Sequence, residues 1–286
     1  MASMRDIKRR KESIQSTGQI TKAMKLVATV KLQKARSRAE NSKPYFDAMY
    51  EAVTSMLARS GSIKHPYLNN DGTGKKAVIA ITSNRGLAGG YNSNIIKAVT
   101  GSGIAKEDMV IYAIGRKGKD FFSRRGYEIK ADYSEVINEP MYKDAMDIGQ
   151  AVLKAYMAGE ISEIYLAYTC FMNTVSQVPV FIKLLPVNAD DVKVKQDENS
   201  DCVMTYEPEE EEALDIIIPK YVSSLIYGAL VESIASENGA RMTAMDNATS
   251  NAEEMISDLS LKYNRARQGS ITQELTEIIA GANAIS

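Results

Sequence analysis

The stretch from Tyr221 to Ser286 constrains the fold more than any other part of the chain. It contains no proline. Apolar or small residues recur in it at alternating steps of three and four, which is typical of a coiled-coil helix. At ~1.5 Å per residue such a helix is roughly 95 Å long, so it is predicted to protrude from its own domain. The seam consists of Tyr227, Val231, Ile234, Asn238, Arg241, Met245, Ala248, Ala252, Met255, Leu259, Lys262, Ala266 and Gly269.

This seam is unusually polar and small for a coiled coil. Asn238, Arg241 and Lys262 interrupt it, and two of its central positions are Ala248 and Ala252. Small side chains let two helices approach closely but bury little apolar area, which stabilises at ~25 cal/mol per Å². We therefore expect the helix pair to be better stabilised inside a sleeve of other chains than by itself.

A second long helix is predicted at the amino terminus, from Ser3 to about Ser60. Its apolar stripe consists of Ile7, Ile14, Gly18, Thr21, Ala28, Leu32 and Ala35. Pro44 is expected to kink or interrupt it near Lys43, because proline removes a donor and clashes with the preceding turn. We predict that residues 1–60 and 213–286 form an antiparallel coiled-coil shaft, since the intervening domain joins the far end of one helix to the near end of the other.

The middle of the chain alternates between strand and helix patterns. Strands are predicted at 76–82, 109–114, 161–171 and 177–185, with helices at 91–100, after 115 and at 141–158. Such alternation favours a small, Rossmann-like, mostly parallel sheet with helices on its faces. The predicted fold class is therefore α/β, with this globular domain at 75–187. Residues 60–74 read as a linker rich in turn formers, and 188–212 as an acidic connecting loop.

Charge is unevenly distributed although the net charge is only −1. Residues 1–38 carry eleven Lys and Arg against two acidic residues, and residues 190–215 carry eleven Asp and Glu against two lysines. This asymmetry favours partners at opposite ends of the molecule. The basic helix and the acidic run are each also compatible with an ordinary solvated surface.

Several classes of site are disfavoured by composition. Two cysteines, Cys170 and Cys202, make no disulfide framework and favour a reducing compartment. His65 is the only histidine, so a histidine-based metal site is effectively excluded. No apolar run approaches the ~20 residues needed to cross a bilayer. The amino terminus lacks the apolar segment of a signal peptide, and a transit peptide is not expected either.

Three glycine-rich segments invite a nucleotide-binding interpretation, but none has the required spacing. GLAGG (86–90) lacks the G-x-G-x-x-G pattern, and GRKGK (115–119) lacks the Walker spacing and its Ser/Thr. GTGKK (72–76) precedes a strand where a P-loop follows one. Tight turns at strand ends are the favoured interpretation, and the adjacent Glu253 and Glu254 diverge on a helix, so they cannot flank one bond.

Two alternatives remain open from the residues alone. One is a nucleotide-dependent α/β enzyme with helical extensions, which binding of NAD or ATP by the isolated chain would favour. The other is a coiled-coil scaffold or a nucleic-acid-binding arm that uses residues 1–38. Salt-dependent nucleic-acid affinity would support that arm, although aromatic residues do not interleave with its basic ones.

Several longer segments carry a family resemblance. They are ITKAMKLVATVKLQK (20–34), ITSNRGLAGGYN (81–92), GRKGKDFF (115–122), YEP (206–208), SENGARMTAMDNAT (236–249) and YNRARQGSITQELTEI (263–278). In this order they resemble the gamma-subunit family of F-type ATP synthases over essentially the whole chain. Several independent motifs of this length leave little room for chance.

The resemblance implies a non-catalytic rotor shaft without a cofactor. The terminal helices would lie inside a ring of three alpha and three beta subunits, with one copy of this chain per complex. The α/β domain would bind the epsilon subunit and the membrane c-ring. Ion flow through the c-ring would turn the shaft, and the turning shaft would drive the beta active sites through ATP synthesis or hydrolysis. The implied location is the cytoplasmic face of a bacterial inner membrane, as a peripheral protein.

The resemblance also implies contact residues. Arg267, Gln268 and Thr272 match family positions that meet the beta catch loops. Four more positions match shaft segments near the beta subunits, namely Met24, Lys25, Arg241 and Gln273. Tyr206 and Glu207 fall where the family contacts the c-ring and epsilon. The chain has no paired cysteines in the α/β domain, so thiol regulation of the plant-chloroplast kind is not expected.

Overall fold

The computed structural model describes residues 4–59, 65–68, 74–187 and 210–285. Its helices are α1 (Met4–Arg59), α2 (Tyr91–Thr100), α3 (Arg116–Arg124), α4 (Tyr142–Met157) and α5 (Glu210–Ile285). Its strands are β1 (Lys75–Ile81), β2 (Met109–Ile114), β3 (Glu128–Asp132), β4 (Ile161–Phe171) and β5 (Gln177–Leu185). Short 3₁₀ turns lie at 106–108 and 136–138.

The helices and four of the five strands lie where the sequence predicts them, within one or two residues at most ends. Strand β3 was missed. Its residues alternate between exposed and half-buried along EIKAD, a period of two that indicates a strand. Three of its five side chains are charged, which is common on edge strands but lowers the apolar signal. The acidic connection at 188–209 lies outside the described residues.

The chain divides into two compact units. One consists of Met1–Ala28 and Arg241–Ser286, and we call it the helical unit. The other consists of Thr29–Ala240, and we call it the sheet unit. Both long helices contribute residues to both units.

The sheet of the sheet unit has the order β3-β2-β1-β4-β5. Strand β1 pairs in parallel with β2 and β4, and β2 pairs in parallel with β3. Only the β4–β5 pair is antiparallel. The prediction of a mostly parallel α/β sheet is confirmed, and the order of the strands is new information from the structure.

Both faces of the sheet are covered, which explains why β1 and β2 are continuous apolar runs. On β1, Ala77, Ile79 and Ile81 pack on the face shared with helices α4 and α5. Val78 and Ala80 pack on the opposite face, with Ile95 of α2 and Phe122 of α3. The alternation of side chains along a strand thus supplies two cores from one short sequence.

The first part of α5 belongs to the larger of these cores. Its fully buried residues there include Leu214, Ile218, Val222, Ile226 and Leu230. An 18-residue window within Glu212–Asn283 is long and apolar enough to span a membrane, yet 56% of it is buried within the protein. That burial is what the core helix of a water-exposed domain requires.

Pro44 was predicted to kink or interrupt α1, and the interruption is wrong, because the helix runs unbroken from Met4 to Arg59. Proline deprives the Glu40 carbonyl of its helical donor, but both residues are exposed, so water can bond that carbonyl. Ala35 is buried on the amino side of the proline, and Val53 on its carboxyl side packs into the larger sheet core. Helix α5 likewise passes through Pro219.

Close packing between β1 and α3 explains the glycines of GRKGK. A Cβ on Gly115, whose φ is 99°, would lie 2.0 Å from the Thr82 carbonyl oxygen. A Cβ on Gly118 would lie 2.7 Å from the Thr82 hydroxyl. These glycines therefore allow a close helix–strand approach, as the tight-turn interpretation predicts.

A charged cluster joins three strands on one face of the sheet. Glu163 of β4 accepts bonds from Lys76 of β1 at 2.9 Å and from Lys183 of β5 at 2.7 Å. The Tyr165 hydroxyl donates a third bond to it at 2.9 Å. Burial opposes ionisation, but these bonds outweigh it and lower the pKa of Glu163 to about 2.

The cluster predicts an acid-sensitive contribution to stability. Because the folded pKa of Glu163 is below its ordinary value of 4.5, its contribution is complete above that value and is lost as pH falls towards about 2. Glu163→Gln should lower the unfolding free energy at pH 7 and flatten its fall across this window. Denaturant unfolding measured at several pH values tests this, with the exposed Glu254→Gln as control. An equal acid response in wild type and Glu163→Gln would contradict it.

Candidate functional site: the paired terminal helices

In the helical unit, α1 and α5 lie side by side and run antiparallel. Three cross-helix contacts show the direction. A Cβ on Gly18 would lie 3.4 Å from the Ala252 Cβ, Thr21 contacts Thr249, and Lys25 contacts Asp246. As the number rises along α1 it falls along α5, so the predicted antiparallel pairing is confirmed.

The seam between the two helices is only partly the predicted one. Met245 and Ala252 are buried as expected, and Ala248, Leu259 and Ala266 are half-buried. Three predicted seam residues are exposed instead, namely Met255, Lys262 and Gly269. Beyond Ala252 the covered positions also include Ile256, Tyr263 and Ser270, each one residue after an exposed predicted position, so the heptad spacing is kept and one of its two rows is shifted by one residue.

Two polar contacts cross this thin seam. The hydroxyl oxygens of Thr21 and Thr249 are 2.8 Å apart, and Thr21 is only 9% exposed. The Lys25 ammonium lies 2.6 Å from the Asp246 carboxylate, with both side chains more than a third exposed. Solvent screening leaves such an ion pair about 0–1 kcal/mol, and a hydrogen bond such as the hydroxyl pair contributes about 1 kcal/mol, so the two contacts set the alignment with similar strength.

The predicted contact residues fall into two groups. Met24, Lys25 and Arg241 lie where the helices are paired, and all three are half-buried. Lys25 is engaged with Asp246, a partner that the sequence analysis did not identify. Opposite charges at these two positions were visible in the sequence, but only the register of the two helices brings them together.

The second group lies near the carboxyl end of α5, and its members are exposed: Arg267, Gln268, Thr272 and Gln273. The Thr272 hydroxyl donates to the Gln268 carbonyl, and the Gln273 amide donates to Glu277. Both are bonds within the helix, so the outward surface of this segment is open to a partner. Tyr206 and Glu207 lie outside the described residues.

The end of α5 extends beyond the described part of α1. Continuing the cross-helix register places Met4 level with Ala266, and every residue from Ile271 to Asn283 is exposed. This segment, which we call the tip, nevertheless carries four large apolar side chains that are at least half exposed: Ile271, Leu275, Ile278 and Ile279. These four residues were not predicted as site residues, although their spacing of four, seven and eight from Ile271 marks one helical face.

An apolar helix face in water is stabilised by a partner that covers it. A tip that is exposed on all sides, with apolar residues on one of them, is suited to a surrounding apolar sleeve. The tip is therefore suited to contact with partner proteins.

Doubly wound folds bind nucleotides at the carboxyl ends of the strands where the strand order reverses, which in this sheet lies between β1 and β4. A separate crevice of about 500 Å³ lies beside the start of α3, next to the carboxyl ends of β2 and β3. Ion pairs join its walls, Lys119 to Asp132 at 2.6 Å and Arg116 to Glu135 at 2.7 Å. Burial opposes ionisation of Asp132, but hydrogen bonds from Lys119 and Ser134 lower its pKa.

The amides that bind phosphate at a helix start already have protein partners in α3. The Arg116 amide donates to the Asn84 side chain at 2.9 Å, and the Lys117 amide donates to the Ser83 carbonyl at 3.1 Å. The Gly118 amide donates to the Thr82 hydroxyl at 2.9 Å. This turn therefore serves to fix α3 to the sheet. Among the described residues, no group of three or more His, Cys, Asp or Glu side chains is placed to hold a metal ion.

Sequence comparisons agree with the resemblance. A model of the family described as ATP synthase matches residues 3–285. The chain is 69% identical over 291 residues to the ATP synthase gamma chain of Lachnoclostridium phytofermentans, and the match covers 100% of both chains. It is 43% identical to the ATP synthase gamma chain, sodium ion specific, of Acetobacterium woodii, with 99% of both chains covered.

Solved structures show the same fold. A chain of the central stalk and c-ring of the Tetrahymena thermophila mitochondrial ATP synthase superposes with a TM-score of 0.61 at 26% identity, covering 80% of this chain and 99% of that one. A chain of the Euglena gracilis mitochondrial ATP synthase superposes with a TM-score of 0.70 at 20% identity, covering 99% and 94%. The second likeness bears on the fold alone.

The hydroxyl pair predicts a local loss of stability on substitution. Thr21→Val keeps the shape but removes the cross-helix hydrogen bond, which should cost about 1 kcal/mol. Amide hydrogen exchange should accelerate around Thr249 of α5. The control is Thr17→Val, since the exposed Thr17 hydroxyl donates only along its own helix, to Ser13. Equal exchange in the two variants would show that the pair does not hold the helices together.

Proposed function

This chain belongs to the family of ATP synthase gamma chains, and on that premise we propose that it is the central rotor shaft of an F-type ATP synthase. In this role it couples ion flow through the membrane c-ring to the conformational cycling of catalytic beta subunits. The observation that carries the proposal is the slender antiparallel helix pair that ends in an exposed single-helix tip. A shaft needs such a shape if it is to turn inside a ring of partners.

The seam chemistry fits rotation within a sleeve. Gly18, Thr21 and Ala252 keep the two helices close, so the shaft stays thin. Long α-helices supply stiffness, because every backbone group inside them is bonded along the axis. The apolar residues of the tip would be covered by the alpha and beta subunits and thereby withdrawn from water.

The exposed polar residues of α5 are proposed to make the contacts that change during rotation. Arg267, Gln268, Thr272 and Gln273 present charge and amide groups to the beta subunits. Met24, Lys25 and Arg241 would contact them further along the paired region. The exposed lysines and arginines of α1 would contact acidic loops transiently, since each solvent-screened pair stabilises by only about 0–1 kcal/mol.

Catalysis is proposed to reside on the beta subunits and not on this chain. The observations in support are that neither glycine-rich turn, after β1 or after β2, has the G-x-G-x-x-G or Walker spacing, and that the first three amides of α3 are bonded to Asn84, Ser83 and Thr82. The sheet unit has a fold that binds nucleotides in other proteins, and in this chain it is proposed to serve as a rigid body. A fold by itself does not carry a function; specific sites do.

The sheet unit is proposed to face the membrane sector. In this arrangement one copy of the chain serves three alpha and three beta subunits, and Tyr206 and Glu207 meet the c-ring and the epsilon subunit. The match to a chain of a central stalk and c-ring assembly supports this placement. The complex would hold the chain peripherally at the cytoplasmic face of a bacterial inner membrane.

Reconstitution tests the proposal directly. The purified chain is mixed with alpha and beta subunits of the same complex, and the mass and ATPase activity of the product are measured. We expect a complex with three alpha, three beta and one copy of this chain that hydrolyses ATP. Failure of competent alpha and beta subunits to incorporate the chain would overturn the shaft role.

A single substitution tests the contact surface. Met24→Lys adds a charge to a half-buried position of the paired helices, where it would face beta. We expect ATP hydrolysis to continue while ions pumped per ATP fall by about half or more, because a desolvated extra charge costs several kcal/mol unless it is paired. Ion uptake by vesicles that contain the whole complex measures this ratio. Gln19→Lys, at an exposed position of α1, serves as control. An unchanged number of ions pumped per ATP in Met24→Lys would contradict the assignment of Met24 as a contact residue.

A further inference from the structure

Strand β4 continues beyond the end of its neighbour β1. Over these last residues the edge of β4 on the β1 side has no partner among the described strands. The last residue pair between them is Ala80 with Ala167. Two residues later Thr169 stands opposite Pro179 of β5. Proline has no amide hydrogen to give to a strand partner, and in an antiparallel pair a residue directs its N–H and C=O to the same side. The backbone polar groups of Thr169 therefore face away from β5.

Helix α5 occupies that edge with two serines. The Ser236 hydroxyl donates to the Thr169 carbonyl at 3.0 Å, and the Thr169 amide donates to the Ser233 hydroxyl at 3.5 Å. Both serines are 0% exposed, and Thr169 is 2% exposed. A helix thus takes the place of a strand. The Ser236 hydroxyl satisfies the carbonyl, and the Ser233 hydroxyl lies at the outer limit of hydrogen-bond distance from the amide.

The same face of α5 continues to contact the carboxyl end of the sheet for another turn. A Cβ on Gly239 would lie 3.2 Å from the Phe171 ring at the end of β4. Ala240 packs with Ala88 and Tyr91 at the glycine-rich turn after β1. Contacts at 233, 236 and 239–240 recur with helical spacing, so α5 is seated along one line on the sheet.

Burial of its apolar face keeps α5 from leaving the sheet or turning far about its axis, since either movement would expose apolar side chains. Hydrogen bonds add a directional constraint that fixes the rotational setting more narrowly. A hydrogen bond weakens steeply as its angle departs from linear. Turning α5 in either direction would break the bonds of Ser233 and Ser236 to Thr169.

We propose that Ser233 and Ser236 are positioning residues that lock the rotational setting of α5 on the sheet, so that torque delivered to the sheet unit turns α5 with it. This role rests on the proposed function as a rotor shaft. It assigns the fine rotational setting of α5 within the sheet unit to a defined three-residue joint, Ser233–Thr169–Ser236, in addition to the apolar packing of the helix.

The test is Ser236→Ala in the whole membrane-bound complex, with ATP hydrolysis and ion uptake measured on the same vesicles for both H⁺ and Na⁺. Alanine favours helix at least as well as serine, so a loss cannot come from a weaker helix. With the Thr169 carbonyl left unpaired, we expect ions pumped per ATP to fall at least about two-fold while the hydrolysis rate is maintained. Ser233→Ala should have a smaller effect, because its contact is longer.

The matched control is Ser223→Ala. Ser223 is also buried in α5, but its hydroxyl donates to the Pro219 carbonyl within the same helix. We expect this variant to pump as wild type does. An unchanged pumping ratio in Ser236→Ala, or an equal fall in Ser223→Ala, would overturn the joint.

A second measurement applies if either serine variant assembles poorly. Torsional stiffness of the rotor is obtained from the thermal fluctuations of a bead attached to the sheet unit in single assembled complexes, which selects the molecules that folded. The joint predicts broader fluctuations for Ser236→Ala than for Ser223→Ala, and equal widths would refute it. If the wild-type chain itself neither assembles nor couples, the shaft role has failed. If the wild-type chain assembles and couples, and the serine variants behave as it does, the joint alone has failed.

Discussion

Burial of one face of α5 in the sheet unit is the interaction on which the rest of that unit depends. Leu214, Val222 and Leu230 are fully covered there, and they form one core with β1, β4 and α4. At ~25 cal/mol per Å² of apolar area, this core supplies a large share of the folding free energy. The same covalent helix also pairs with α1 in the helical unit, where its side chains meet a different requirement.

The two units are stabilised by different means. The sheet unit has large aliphatic side chains on both faces of a mostly parallel sheet. The helical unit has small residues and polar contacts, represented by Gly18, the Thr21–Thr249 hydroxyl pair and the Lys25–Asp246 ion pair. Polar groups in a helix seam specify alignment at a cost in stability. A thin, aligned and weakly self-stabilised pair is well matched to a role inside a sleeve of partner subunits.

A fold associated with nucleotide binding here provides rigidity and a place for attachment. Thr82 shows how, because its side chain and backbone lie against Gly115 and Gly118 and its hydroxyl accepts the amide of Gly118. Thr169 makes the corresponding attachment to α5. Both threonines stand just beyond the regular pairing of β1 with its neighbours, at the edge where related architectures bind ligands. In this chain the Thr82 amide and the Thr169 amide and carbonyl contact other groups of the protein at hydrogen-bond distance.

The sequence by itself determined every α-helix and four of the five strands of the described structure, the fold class and the family. Periodicities of 3.6 and 2 identify the long helices and the strands, because they reflect which side of each element is covered, and the motifs at both ends of the chain resemble one family. Tertiary structure decided what depends on neighbours distant in sequence. It set the pairing of the charged strand β3, carried α1 through Pro44, moved the seam from Met255 to Ile256, and brought Lys25 to Asp246 and Ser236 to Thr169. A local pattern shows that a residue is covered, but only the packed chain determines which residue covers it.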